Sequence, residues 1–162
     1  IFARLLEKKR REKRFQDLLE QKILELAQKY GNIISPARVI IDVKEIEGRL
    51  VTSDDVNAVL KRLVKRGYLK KVDENLYVSP GLELSTKELE VIRLFYEMGG
   101  QLASTDILVR LPHMFKTIDD VMQVLRKLKN KGVIIEGKYE EGMRYHMPAA
   151  EMETKGEEED EY

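Results

Sequence analysis

The side chains best suited to metal, nucleophilic or proton-transfer chemistry are few in this sequence and poorly placed to cooperate. There are two histidines and no cysteine, which excludes disulfides and thiolate metal sites. His113 and His146 lie far apart in the chain. Neither is accompanied by a second histidine or a spaced carboxylate pair that would complete a metal ligand set. The acid pairs Asp54-Asp55 and Asp119-Asp120 fall where helices are expected to begin, and capping is a sufficient role for them. Gly99-Gly100 reads as the stop of a helix rather than a phosphate cradle, and no nucleophile elbow, phosphate loop or dinucleotide fingerprint occurs. The expectation is a protein with no metal, no cofactor and no enzymatic activity.

The chemistry that remains is binding. Formal net charge is zero, but the charge is unevenly spread. Lys8, Lys9, Arg10, Arg11, Lys13 and Arg14 stand in a run interrupted only by Glu12. With Phe2, Leu5 and Leu6 close by, these six cations form a candidate contact with an anionic membrane surface, because a polybasic cluster gains about 1 kcal/mol per cation there. The residues from Glu151 onward are strongly acidic with almost no apolar content, so a disordered tail over 150–162 is expected. A second candidate is the segment Leu111-Pro112-His113-Met114-Phe115, which is unusually apolar for a surface connection. Met114 and Phe115 are its best candidates for anchoring a partner protein. Leu111 reads mainly as core, and Phe95 and Tyr96 are weaker candidates because adjacent helix positions cannot both face one core.

An internal repeat shows which elements must position these residues. TSDDVNAVLKRLVKRGYL begins at Thr52, and TIDDVMQVLRKLKNKGVI begins 65 positions later at Thr117. Each copy reads as one amphipathic helix, with Val56, Val59, Leu60 and Leu63 on one face of the first and Val121, Val124, Leu125 and Leu128 on one face of the second. Thr52 with Asp55, and Thr117 with Asp120, have capping-box spacing, while Gly67 and Gly132 stop the helices. Hairpins follow, with expected strands at 68–72 and 76–78 in one copy and at 133–136 and 143–147 in the other.

Two more helices precede each copy. In the first, they are QKILELAQKYG from Gln21 and SPARVIIDVKEI from Ser35. In the second, they are STKELEVIRLFYEMGG from Ser85 and STDILVRL from Ser104, ended by Pro112. From about Ala3 to Tyr30 there is no Gly or Pro, so one long helix is expected, with Phe15, Leu18, Leu19, Ile23 and Leu26 as its apolar stripe.

Helix, helix, helix, hairpin, repeated once, is the winged-helix pattern. The expected class is mainly α with small β-hairpins (α+β). It comprises a basic N-terminal helix (1–20), two tandem winged-helix domains (21–82 and 83–149) and the acidic tail. No apolar run approaches the roughly 20 residues needed to span a bilayer. A cytoplasmic protein, able to lie peripheral to a membrane, is therefore expected.

Winged helices often read DNA with the N-terminal end of the third helix. Here both third helices begin with Asp-Asp, which opposes phosphate contact. A tandem winged-helix DNA-binding transcription regulator therefore stands as the alternative reading, and DNA is the less favoured partner.

The order of parts resembles the paired winged-helix subunits of ESCRT-II, the endosomal sorting complex, called vacuolar-sorting proteins twenty-two and thirty-six. Three places carry the resemblance. Ser35-Pro36-Ala37-Arg38-Val39 looks like the second helix of the family's first module. Glu47-Gly48-Arg49-Leu50-Val51-Thr52-Ser53-Asp54-Asp55-Val56 is similar to its Gly-containing loop and following helix start. Gly142-Met143-Arg144-Tyr145 looks like its closing strand. The likeness spans about residues 15 to 150, and the chain departs from the family in its compact wings and in having no visible ubiquitin- or lipid-binding domain upstream.

The resemblance implies a non-enzymatic scaffold in protein transport and membrane remodelling. Its implied partners are other ESCRT-II-like winged-helix subunits, received on the second module. The basic helix leans toward the twenty-two type, and the Lys/Glu bias fits an archaeal relative.

Overall fold

A computed structural model describes residues 1–139 and 142–148. These residues form two compact units. One comprises Ile1–Gln28 and Asn32–Gly81, and the other comprises Lys29–Gly31 and the residues from Leu82 onward.

The first unit is dominated by α1 (Phe2–Lys29). Helix formers without Gly or Pro sustain it for 28 residues. Phe15, Leu19, Ile23 and Ala27 are its buried residues, and their spacing of four puts them on one face. Everything before Phe15 is exposed.

β1 (Ile33–Ile34) leads to α2 (Pro36–Asp42), where Ser35 caps the helix by accepting the Arg38 N–H at 3.2 Å and Pro36 opens it. α2 is shorter than the sequence suggested. Val43 turns extended, and the Lys-Glu-Ile that follows enters a two-residue hairpin, β2 (Glu45–Ile46) with β3 (Arg49–Leu50). The turn needs left-handed backbone at Glu47 and Gly48, with φ of 48° and 82°. Glycine takes that conformation freely, while glutamate does so at a cost.

α3 (Ser53–Lys65) begins with the full capping box of Thr52 and Asp55 and buries Val56, Val59, Leu60 and Leu63. β4 (Lys70–Asp73) and β5 (Leu76–Val78) form the wing, and β1 adds beside β5 to give the order β1-β5-β4.

The second unit repeats the plan. α4 (Thr86–Glu97) starts with a Ser85–Glu88 capping box. β6 (Gln101–Leu102) precedes α5 (Ser104–Arg110). There the Ala103 side chain has no acceptor, so only Asp106 contributes to the cap, accepting the Ala103 N–H at 2.9 Å. α6 (Ile118–Asn130) carries the Thr117–Asp120 box and buries Val121, Val124, Leu125 and Leu128. β7 (Ile135–Tyr139) and β8 (Gly142–His146) pair antiparallel, and the sheet order is β6-β8-β7.

The wing strands β4 and β7 start two residues later than the sequence suggested. The intervening residues stay in the helix stop: the Tyr68 and Leu69 N–H groups donate to the Leu63 carbonyl at 2.9 and 3.3 Å, and the Val133 N–H donates to the Leu128 carbonyl at 3.1 Å.

Besides the length of the first helix, 28 residues in α1 and 12 in α4, the two units differ between their second and third helices. That connection covers 43–52 in the first unit and 111–117 in the second. The longer version holds the β2–β3 hairpin, whereas the shorter one is a tight turn that drives Phe115 into the core.

Candidate interaction surfaces

The six cations expected to meet a membrane are all exposed on α1, and two of them, Arg11 and Arg14, already have carboxylate partners. Arg14 is committed to the hairpin. Its Nη2 and Nε donate to the Glu47 carboxylate at 2.5 and 3.0 Å. This bidentate bond holds Glu47 below the usual carboxylate range and raises Arg14 further. Arg11 pairs with Glu7 one turn back at 2.6 Å.

From the hairpin side, the Arg49 guanidinium lies 3.7 Å from the Phe15 ring centroid and donates to Glu12 at 2.5 Å and Asp55 at 3.3 Å. The Glu12 bond is the main cause of the raised pKa of Arg49. Among the described residues, Lys8, Lys9, Arg10 and Lys13 have no ion pair. Phe2, Leu5 and Leu6 are exposed, and helical spacing sets them on the same stripe as Lys9 and Lys13.

The third helices use their late cations internally, and in matching ways. In the first unit, Arg62 reaches Gln16, Asp17 and Glu20, and Arg66 reaches Glu20 at 3.3 Å. In the second unit, Lys131 donates to Glu88 at 2.7 and 2.9 Å and to the Glu83 carbonyl at 2.7 Å. Arg66 and Lys131 are both the C-cap residues of their helices. Glu20 and Glu88 stand 68 positions apart, the same spacing that relates Pro36 to Ser104 at the starts of the second helices.

A Glu on the first helix thus holds the end of the third helix in both units. Burial pushes the Glu88 carboxyl up, but the Lys131 bond and the Ser85 bonds outweigh it and leave the group below its ordinary value. Lys129 is likewise bonded to Glu136 at 2.7 Å. Of the cations in these helices, Lys61, Lys65, Arg126 and Lys127 have no ion pair among the described residues.

The partner-anchor candidates separate sharply. Phe115 is 1% exposed and Phe95 is fully buried. The expectation that Phe115 sits at the surface beside Met114 is therefore corrected. Met114 and Phe115 N–H groups both donate to the Leu111 carbonyl at 3.1 Å. This closes a turn tight enough to send Phe115 inward while Met114 stays half-buried. Lys87 Nζ lies 5.7 Å from the Phe115 ring centroid.

Leu111 is half-buried, and Tyr96 is partly exposed beside the buried Phe95. Sequence reasoning missed Val109 (77% exposed) and Ile118, both exposed on the helices flanking this turn. The signal was present: Val109 lies two positions after the buried Ile107, on the opposite side of α5.

In the first unit, an open groove of about 690 Å³ runs between α2, α3 and the wing. Ala37, Ile40 and Val64 contribute its apolar surface, and Asn57, Lys61 and Lys71 its polar surface. This groove also went unseen in the sequence. His146 is buried in β8 and His113 is exposed. Among the described residues, no group of three or more potential ligands could hold a metal ion, and no helix is long and apolar enough to cross a membrane. The acidic residues from Glu151, and Glu140 and Glu141 of the second wing, lie outside the described residues.

No protein-family model and no curated protein matches this sequence. Among solved structures, a chain of the crystal structure of the endosomal complex ESCRT-II (VPS22/VPS25/VPS36) is similar, with a TM-score of 0.65 and 14% identity over 85% of this chain. The fold is the winged-helix fold seen in ESCRT-II. The likeness extends over 65% of the ESCRT-II chain, and at this identity it is a likeness of architecture.

Proposed function

We propose that this chain is a non-enzymatic scaffold subunit of an ESCRT-II-like complex, which binds other winged-helix subunits and takes part in protein sorting and membrane remodelling. The observation that carries the reading is the shared architecture across both units. The arrangement of charge agrees with it. Both third helices open with acids, and Arg62, Arg66, Lys129 and Lys131 are spent on contacts within their own units. A DNA-reading helix instead needs cations directed at phosphates.

In this proposal, Tyr96, Met114, Leu111, Val109 and Ile118 on the second unit form the contact for another subunit. Phe115 and Phe95 support that surface from beneath. The basic helix, which favours the twenty-two type, meets an anionic membrane through Lys8, Lys9, Arg10, Arg11 and Lys13, with Arg14 holding the helix to the hairpin.

Titration with duplex DNA at low and moderate salt tests the reading against a transcription regulator. Weak binding without sequence preference is expected. Tight, salt-sensitive, sequence-preferring binding would overturn the scaffold reading.

A further inference from the structure

The β2–β3 hairpin and the basic turns of α1 border a depression of about 340 Å³. Lys8, Arg11 and Arg14 line it from the helix, and Arg49 lines it from the hairpin. Glu12 and Glu47 are the carboxylates in the lining, so the cations outnumber the acids by two. Both acids already have partners, Glu47 with Arg14 and Glu12 with Arg49.

The surplus therefore rests on Lys8, which has no ion pair among the described residues, and on Arg11, whose only partner there is the exposed Glu7. Arg49 is pre-positioned by the Phe15 ring, Glu12 and Asp55, so its placement costs a ligand little ordering. A phosphate group is only a few times the roughly 30 Å³ of a water and fits the depression.

We propose that this pocket binds a phosphate monoester, whose oxygens accept charge-assisted bonds from the Lys8 ammonium and from the Arg11 and Arg49 guanidinium groups. The ligand is either a lipid headgroup phosphate or a soluble phosphate. The proposal deepens the membrane-contact reading of the basic helix and rests on it. It replaces a diffuse polybasic contact with a defined site that includes Arg49, a residue outside the basic run.

The test uses the full chain, in calorimetry with inorganic phosphate and in flotation with two kinds of phosphatidylcholine vesicle. One kind contains phosphatidic acid, a monoester. The other contains phosphatidylserine, a diester, at the same total charge. Lys8→Gln with Arg11→Gln should weaken phosphate and phosphatidic acid binding about tenfold or more, as expected for losing two charge-assisted donors. Lys9→Gln with Lys13→Gln removes the same charge from another side of the helix and should weaken phosphate binding less than about twofold. Arg49→Gln should behave like the first pair, with circular dichroism confirming the fold.

Phosphatidic acid preferred over phosphatidylserine assigns the site to a headgroup. Phosphate binding without that preference assigns it to a soluble ligand. Equal losses from the two double variants, or no monoester binding in any arm, overturn the pocket. If phosphatidylserine vesicles still float the Lys8→Gln, Arg11→Gln variant in that case, the diffuse membrane reading survives without it.

Discussion

Replacing Phe115 with Ser separates a core role from a surface role within the second unit. Phe115 is 1% exposed and ranks among the largest fully buried side chains. Removing a buried phenyl group costs about 3–5 kcal/mol through lost transfer energy and the cavity left behind. A hydroxyl stranded in that cavity adds about 1–3 kcal/mol. For a unit of this size, each kcal/mol lowers the melting temperature by roughly 4–8 °C, so a drop of well over about 10 °C is expected. Phe115→Leu keeps most of the volume and should lose a fraction of that. Met114→Ser removes a half-buried side chain and should shift melting by only a few degrees while weakening capture of a partner subunit. Thermal denaturation followed by circular dichroism, with binding measured well below the transition, reads both effects. If Phe115→Ser melts within a few degrees of the parent and still loses partner affinity, the burial argument is wrong and Phe115 is the anchor.

Three further outcomes follow from the charged residues. The folded-state pKa of Glu88 lies below the ordinary value of 4.5, so its stabilising contribution is present above that pH and is lost as pH falls through the folded value. Stability of the second unit should therefore fall as pH drops below the ordinary carboxylate value, and Glu88→Gln should flatten that acid limb while lowering stability at neutral pH. Arg49→Ala removes the bonds to Glu12 and Asp55 and the contact with Phe15, so amide exchange ahead of Phe15 should accelerate with the rest of the first unit unchanged. Reversing the charge of Lys8, Lys9, Arg10, Arg11, Lys13 and Arg14 should abolish flotation with anionic vesicles, and flotation equal to the parent's would end the membrane reading.

The helices were legible because their signals are local. Thr52 with Asp55, Ser85 with Glu88, and Thr117 with Asp120 each form the full capping box, and the periodic Val and Leu of α3 and α6 are buried. The two-residue strands were not legible. Ile33–Ile34 and Gln101–Leu102 become strands only because β5 and β8 offer them an edge, and nothing in two residues shows that.

The hairpin at Glu47-Gly48 was read as a loop for the same reason. Its function as a clamp on α1 depends on Arg14–Glu47 and Glu12–Arg49 bonds spanning more than 30 residues. The fate of Phe115 was missed because an apolar connection signals burial and partner contact equally well. Only the turn closed on the Leu111 carbonyl decides between them. The cation count of the basic run was likewise plain, but which of its members are already paired depends on tertiary placement.

The scaffold claim is tested most directly by purifying the tagged native chain from its own cells at physiological salt and identifying what comes with it in fixed ratio. Stoichiometric recovery of at least one other small winged-helix protein is expected, with recovery reduced by Met114→Ser and unaffected by nuclease. Recovery of the chain alone, or with nucleic acid whose removal by nuclease disperses everything else, would contradict it.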